Sequence, residues 1–149
     1  MEISDSRART NEATQREWRQ LVFFYTLDGA AREWRLVGSR EGLQNFVRLL
    51  RHYGSNPKNA GLSEHEHYGP YSYLEIGTWT EPQITDHWIA GPLDSLLALS
   101  STIEKQIATA LVGDSIQLRS TFAPDSVYEL ALEFREADFD PARADPHCW

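Results

Sequence analysis

His65-Glu66-His67 is the most conspicuous group of metal-capable side chains in the sequence. On an extended strand, residues two apart point to the same side, so both imidazoles can reach one ion. A catalytic zinc site takes three protein ligands and a water. His52, Asp86 or His87 could supply the third ligand, but nothing in the sequence places any of them beside the pair. An HxH pair alone falls short of a ligand set, and the plain alternative is a polar strand whose imidazoles hydrogen-bond at the surface. The reading is therefore no metal and no cofactor, with His65 and His67 as the only candidate ligands.

Other reactive arrangements are weaker still. No G-x-S-x-G elbow surrounds any serine. There is no P-loop and no G-x-G-x-x-G, and Gly38–Gly42 holds too few glycines to cradle a phosphate. The pairs Glu64/Glu66 and Glu129/Glu133 read as solvated strand residues rather than acid–base pairs. Cys148 has no flanking motif and lies beside the C-terminus. No catalytic residue is assigned, and a non-enzyme is favoured.

The elements that would position these residues follow from periodicity and punctuation. Leu21–Tyr25 is a β-rich run, Asp28-Gly29 a turn and Glu33–Val37 its hairpin partner. Ser39 can cap a helix defined by Leu43, Phe46, Val47 and Leu50, which Gly54 ends. Glu64–Tyr68 and Tyr71–Trp79 read as strands joined tightly through Gly69-Pro70, and Asp86–Ala90 as another. Pro92 opens a second helix carrying Leu93, Leu96, Leu97, Leu99, Ile103 and Ile107. Ile116–Thr121 and Val127–Phe134 complete the strands. Trp34 and Trp88, each ahead of a helix-opening glycine, read as core anchors.

Two stretches look like copies of one unit. Gly38, Leu43, Phe46 and Leu50 stand 53 positions before Gly91, Leu96, Leu99 and Ile103. Tyr68, Pro70, Ser72, Glu75 and Ile76 stand 54 positions before Phe122, Pro124, Ser126, Glu129 and Leu130. A single loop insertion accounts for the difference, and repeats fix architecture before anything else does. The expectation is one α+β domain over 1–149. It has two layers, with two helices on one face of a largely antiparallel sheet built from two strand–helix–strand–strand repeats. Residues 1–16 are expected to be a mobile tail, 20–90 the first unit with an extra strand, 86–136 the second unit, and 137–149 an irregular tail.

The repeat also selects a face. Leu74 and Ile76 match the inward phase Tyr128, Leu130, Leu132 and Phe134, which puts His65, His67, Tyr71, Tyr73, Glu75 and Trp79 on the outer side. Tyr and Trp bury much area at low entropic cost, so such a face suits a protein interface. The candidate partner-binding residues are Tyr71, Tyr73, Trp79, Glu75 and His67. The competing reading covers that face with the helices and makes it core.

The chain has 149 residues, 41% of them hydrophobic and 24% charged, as in an ordinary folded domain. With 14 basic and 22 acidic residues its net charge is −8, which disfavours nucleic acid and anionic membrane as partners and suits a basic protein. No apolar run approaches the roughly 18 residues of a membrane span, and the polar start lacks a secretory signal. A single cysteine agrees with a reducing compartment. A cytoplasmic location is the default expectation.

The run Trp34-Arg-Leu-Val-Gly38-Ser-Arg-Glu-Gly42-Leu43, its helix and the His65-Glu66-His67 strand resemble small bacterial immunity proteins of polymorphic toxin systems, the type labelled immunity protein thirty-two. The resemblance spans Trp34 to Tyr68. This chain departs from the pattern by its length and by a second copy that lacks the histidines. The resemblance implies a cytoplasmic protein that binds and neutralises a toxin domain, without catalysis. Two other readings stay open: a small metal-dependent enzyme built on His65 and His67, and a structural module that associates with itself.

Overall fold

The computed structural model describes residues 2–149, with side chains described from Arg9 onward. The α+β class expected from the sequence is what it shows. In chain order the elements are α1 (Glu2–Leu21), β1 (Phe24–Asp28), β2 (Glu33–Gly38), α2 (Arg40–Gly54), β3 (His65–Tyr68), β4 (Leu74–Thr78), β5 (Gln83–Ile84), β6 (Ile89–Gly91), α3 (Leu93–Thr109), β7 (Ser115–Gln117), α4 (Arg119–Phe122) and β8 (Glu129–Phe134).

The strands form two four-stranded sheets, ordered β1-β2-β8-β7 and β3-β4-β6-β5, and this corrects the single sheet expected. Each sheet holds two antiparallel hairpins joined by one central parallel pair, β2 with β8 and β4 with β6. Both halves of the chain run hairpin–helix–hairpin, and each half gives its first hairpin to one sheet and its second to the other. Exchanging first-half elements for second-half ones turns one strand order into the other. The short strand β5, unforeseen in the sequence, completes this correspondence. The division into two sheets depends on β2 recruiting β8 from the far end of the chain, a pairing that no local pattern encodes.

Both inner faces share one core with the helices. Trp34, Leu36, Leu130, Leu132 and Phe134 come from the first sheet, and Leu74, Ile76, Ile84 and Ile89 from the second. α2 contributes Leu43, Phe46, Val47, Leu50 and Tyr53 at the spacing of one helical face. α3 contributes Leu96, Leu99, Ile103 and Ile107. The helices pack on each other, α2 against β2 and β8 and α3 against β6, rather than side by side on one sheet. The Ser39 hydroxyl caps α2 by accepting from the Gly42 amide at 3.1 Å. The Arg51 guanidinium grips Glu104 with two bonds of 2.7 and 2.9 Å across the helix pair.

The N-terminus also differs from expectation. Met1 lies outside the described residues, but Glu2–Leu21 form a helix where a mobile tail was expected over 1–16. Its last turn is seated by Trp18, 1% exposed, and Leu21. The C-terminal segment carries two short 3-10 turns, Pro141–Ala144 and Pro146–Cys148, each capped by the aspartate before its proline. Arg19 donates to both carboxylate oxygens of Asp140, and Gln15 Nε2 donates to the Cys148 carbonyl at 3.0 Å. These polar contacts join two ends that also share the buried core, through Trp18, Leu21, Ala142 and Cys148.

Candidate functional site

The outer faces of the two sheets are chemically unlike. On the first sheet Glu33, Arg35, Glu133 and Arg135 form a ladder of ion pairs 2.8 to 3.1 Å long, an ordinary solvated surface worth little energetically. On the second sheet His67 stands opposite Glu75 and His65 opposite Gly77, so both imidazoles and the carboxylate share one face. The Nε2 atoms of His65 and His67 lie 3.5 and 3.3 Å from Glu75 Oε1. Over Gly77 there is only room for the Trp88 indole: an added Cβ would meet its ring at 2.2 Å.

The connection between β3 and β4 is strained. Gly69 adopts φ 73°, a left-handed conformation in which a side chain would be strained, and it packs against the Leu21 and Tyr25 side chains. Tyr71 and Ser72 follow at φ 66° and 57°, a left-handed conformation that costs non-glycine residues energy and persists only where surroundings enforce it. Here the enforcing bonds are visible. The Tyr25 hydroxyl donates to the Pro70 carbonyl and accepts from the Tyr73 amide at 3.2 Å. The Ser72 carbonyl accepts from His67 Nδ1 at 2.8 Å. Tyr71, expected on a strand, therefore belongs to a turn, and β4 begins at Leu74.

This turn forms one wall of a cleft of about 840 Å³. Of the predicted partner-binding residues, the cleft gathers His67, Tyr71, Tyr73 and Glu75. His87 and His147 join them, so three of the chain's five histidines line one hollow. Trp18, Tyr25 and Trp34 supply aromatic lining, with Trp18 and Tyr25 centroids 5.0 Å apart. Tyr71 and Tyr73 stack at 5.7 Å, and Tyr73 is 67% exposed. Trp79 is the exception. It lines a separate, smaller cleft with Glu81, Pro82, Val127 and Tyr128, because the chain leaves the sheet after Thr78 and carries the indole toward the second half.

Asp145 organises the floor from below. It is 2% exposed and accepts from Tyr71 Oη at 2.6 Å and Trp18 Nε1 at 2.8 Å. Burial alone would raise its pKa. The bonds from Tyr71, Trp18 and the His147 amide outweigh that and hold the carboxyl below the usual range. The Tyr71 hydroxyl is pushed up in turn, by burial and by its bond to this carboxylate. Burial and Asp145 also push the Cys148 thiol up to about 11.

Sequence reasoning missed Glu75 as the group facing both histidines, although it placed all three on one side. Cross-strand register was the absent information, since it depends on the Gly69–Tyr73 turn. It also missed Asp145, whose only signal was the Asp-Pro step. Comparison with protein-family models, with curated proteins and with solved structures finds no match to this chain. Among the described residues no helix is long and apolar enough to cross a membrane.

Proposed function

We infer that this chain is a cytoplasmic binding protein of the immunity type, which neutralises a basic toxin domain by stoichiometric association through the cleft described above. The observation that carries this reading is the Tyr71–Tyr73 stack at the mouth of the cleft. Tyr71 is pinned by Asp145 and its neighbour stands 67% exposed. Rigid aromatic rings at a concave, partly apolar site are the anchors that supply most of an interface's energy. The net charge of −8 supports the choice of a basic partner, since complementary charge accelerates encounter.

The test is a calorimetric titration against a candidate basic toxin domain. One-to-one binding is expected, with association slowing as salt rises. Tyr73→Ala should weaken it by about 30-fold, the equivalent of roughly 2 kcal/mol at an interface anchor. Val127→Ala, in the separate cleft, should leave it unchanged. Equal losses from both variants, or neutralisation by sub-stoichiometric protein through substrate turnover, would overturn the reading.

A further inference from the structure

Glu75 is 8% exposed. Among the described residues no lysine or arginine lies within ion-pair distance of its carboxylate; only the imidazoles of His65 and His67 face it, both at Oε1. Each ring is fixed from behind. His65 Nδ1 lies 2.9 Å from the Ser63 carbonyl and His67 Nδ1 2.8 Å from that of Ser72. A carbonyl oxygen can only accept, so each Nδ1 carries its proton. In the neutral ring, Nε2 then presents a bare lone pair. Two such lone pairs and the Glu75 carboxylate converge here, an arrangement that a positive charge between them would satisfy.

The spacing fits a metal ion as that charge. Zinc bound to imidazole nitrogen and carboxylate oxygen at about 2.0–2.2 Å in a tetrahedron sets neighbouring ligand atoms about 3.4 Å apart. The observed Nε2 to Oε1 separations are 3.5 and 3.3 Å, and one ligand atom from each of the three residues lies within 4.8 Å of the others. The backing is also what a metal-bound histidine requires. Its second nitrogen ordinarily donates to a carbonyl or carboxylate, which fixes the tautomer and turns the free nitrogen toward the ion. For His67 that carbonyl belongs to Ser72, within the turn that holds Ser72 at φ 57°.

We propose that His65, His67 and Glu75 form a zinc-binding site with a fourth position open to the cleft. Two of the three ligands, His67 and Glu75, line that cleft, so water or a donor atom of a molecule seated there completes the coordination. The site stands independently of the toxin-binding reading, because its test contains no partner protein.

The experiment is equilibrium dialysis of the full chain against zinc chloride at pH 7.5, followed by elemental analysis. Cobalt(II) substitution monitored by visible absorption, and melting with and without zinc, complete it. One zinc per chain is expected, with the intense visible bands of low-coordinate cobalt and a higher melting temperature in zinc. His67→Ala and Glu75→Gln should each weaken binding at least tenfold and abolish the cobalt bands. His52→Ala, on α2, should retain both. Circular dichroism and zinc-free melting of the variants separate loss of ligand from loss of fold. Wild-type protein that takes up no stoichiometric zinc would overturn the proposal. So would uptake that survives His67→Ala and Glu75→Gln alike.

Discussion

Tyr71 Oη and Asp145 Oδ2 lie 2.6 Å apart, a bond that joins the rim of the cleft to the C-terminal turn across 74 residues of sequence. Trp18 Nε1 donates to the same carboxylate oxygen at 2.8 Å, so one buried charge connects the first helix, the strained turn and the end of the chain. A charge-assisted bond of this kind is shorter and stronger than a neutral one.

Asp145 should make stability depend on acidity with a definite sign. Its folded pKa lies below the ordinary value of about 3.9. The unfolded chain therefore binds the proton first as pH falls. The stabilisation is fully present above about pH 4 and is lost as pH drops through the lower, folded value. Urea unfolding between pH 7 and 2.5 should show wild-type stability falling in that acid range. Asp145→Asn should be less stable at pH 7 by about 1–3 kcal/mol, the range for disturbing a buried charged hydrogen bond, and flatter below pH 4. Parallel curves for the two proteins would contradict the assignment.

Cys148 should be unreactive while the protein is folded. With the thiol pushed up to about 11 by burial and by Asp145, almost none is thiolate at pH 8, and only the thiolate attacks. Iodoacetamide should label the native chain far more slowly than the urea-unfolded one. Asp145→Asn should raise the native rate, since it removes the carboxylate that disfavours ionisation. An unchanged rate in that variant would show that accessibility alone protects the thiol.

Much of this arrangement was legible because it is local. The α2 cap at Ser39 and the apolar stripes of both helices follow from local spacing. The inward phase of Leu74 and Ile76, and with it the shared face of His65, His67 and Glu75, comes instead from matching the two copies. What escaped was non-local: β8 pairing with β2, the two chain ends meeting at Asp140 and Arg19, and Asp145 reaching under Tyr71. Trp79 shows the boundary between the two kinds of information. Strand alternation placed it with Tyr73 and Glu75, but β4 ends at Thr78, and one residue beyond a strand the alternation no longer says where a side chain goes.

Gly77 should tolerate no side chain. A Cβ would lie 2.2 Å from the Trp88 ring, and Trp88 is itself held by a 2.6 Å bond from Nε1 to Gln83 Oε1. Overpacking of a filled site costs about 1–3 kcal/mol, so Gly77→Ala should lower the melting temperature and shift the tryptophan fluorescence. Gly29→Ala, where an added Cβ meets nothing within 4 Å, is the matched control. Equal melting temperatures for the two variants would mean that Trp88 moves aside without cost.

The two stacked tyrosines should separate stability from binding. Tyr71 has a hydroxyl committed to Asp145 and a ring 6.4 Å from that of Trp18. Tyr73 has its backbone amide bonded to Tyr25, while its side chain stands in solvent. Tyr71→Phe keeps the ring and removes the bond, leaving a buried carboxylate short of a donor, so it should cost about 1–3 kcal/mol of stability and little affinity. Tyr73→Ala removes exposed aromatic area, so it should leave the melting temperature within a degree or two and weaken partner binding at least tenfold. Thermal melts and titrations of both variants give four numbers whose pattern is the test. If Tyr71→Phe and Tyr73→Ala change affinity by the same factor, the rim is not where the partner is anchored. If Tyr73→Ala unfolds the chain, its ring belongs to the core rather than to an interface.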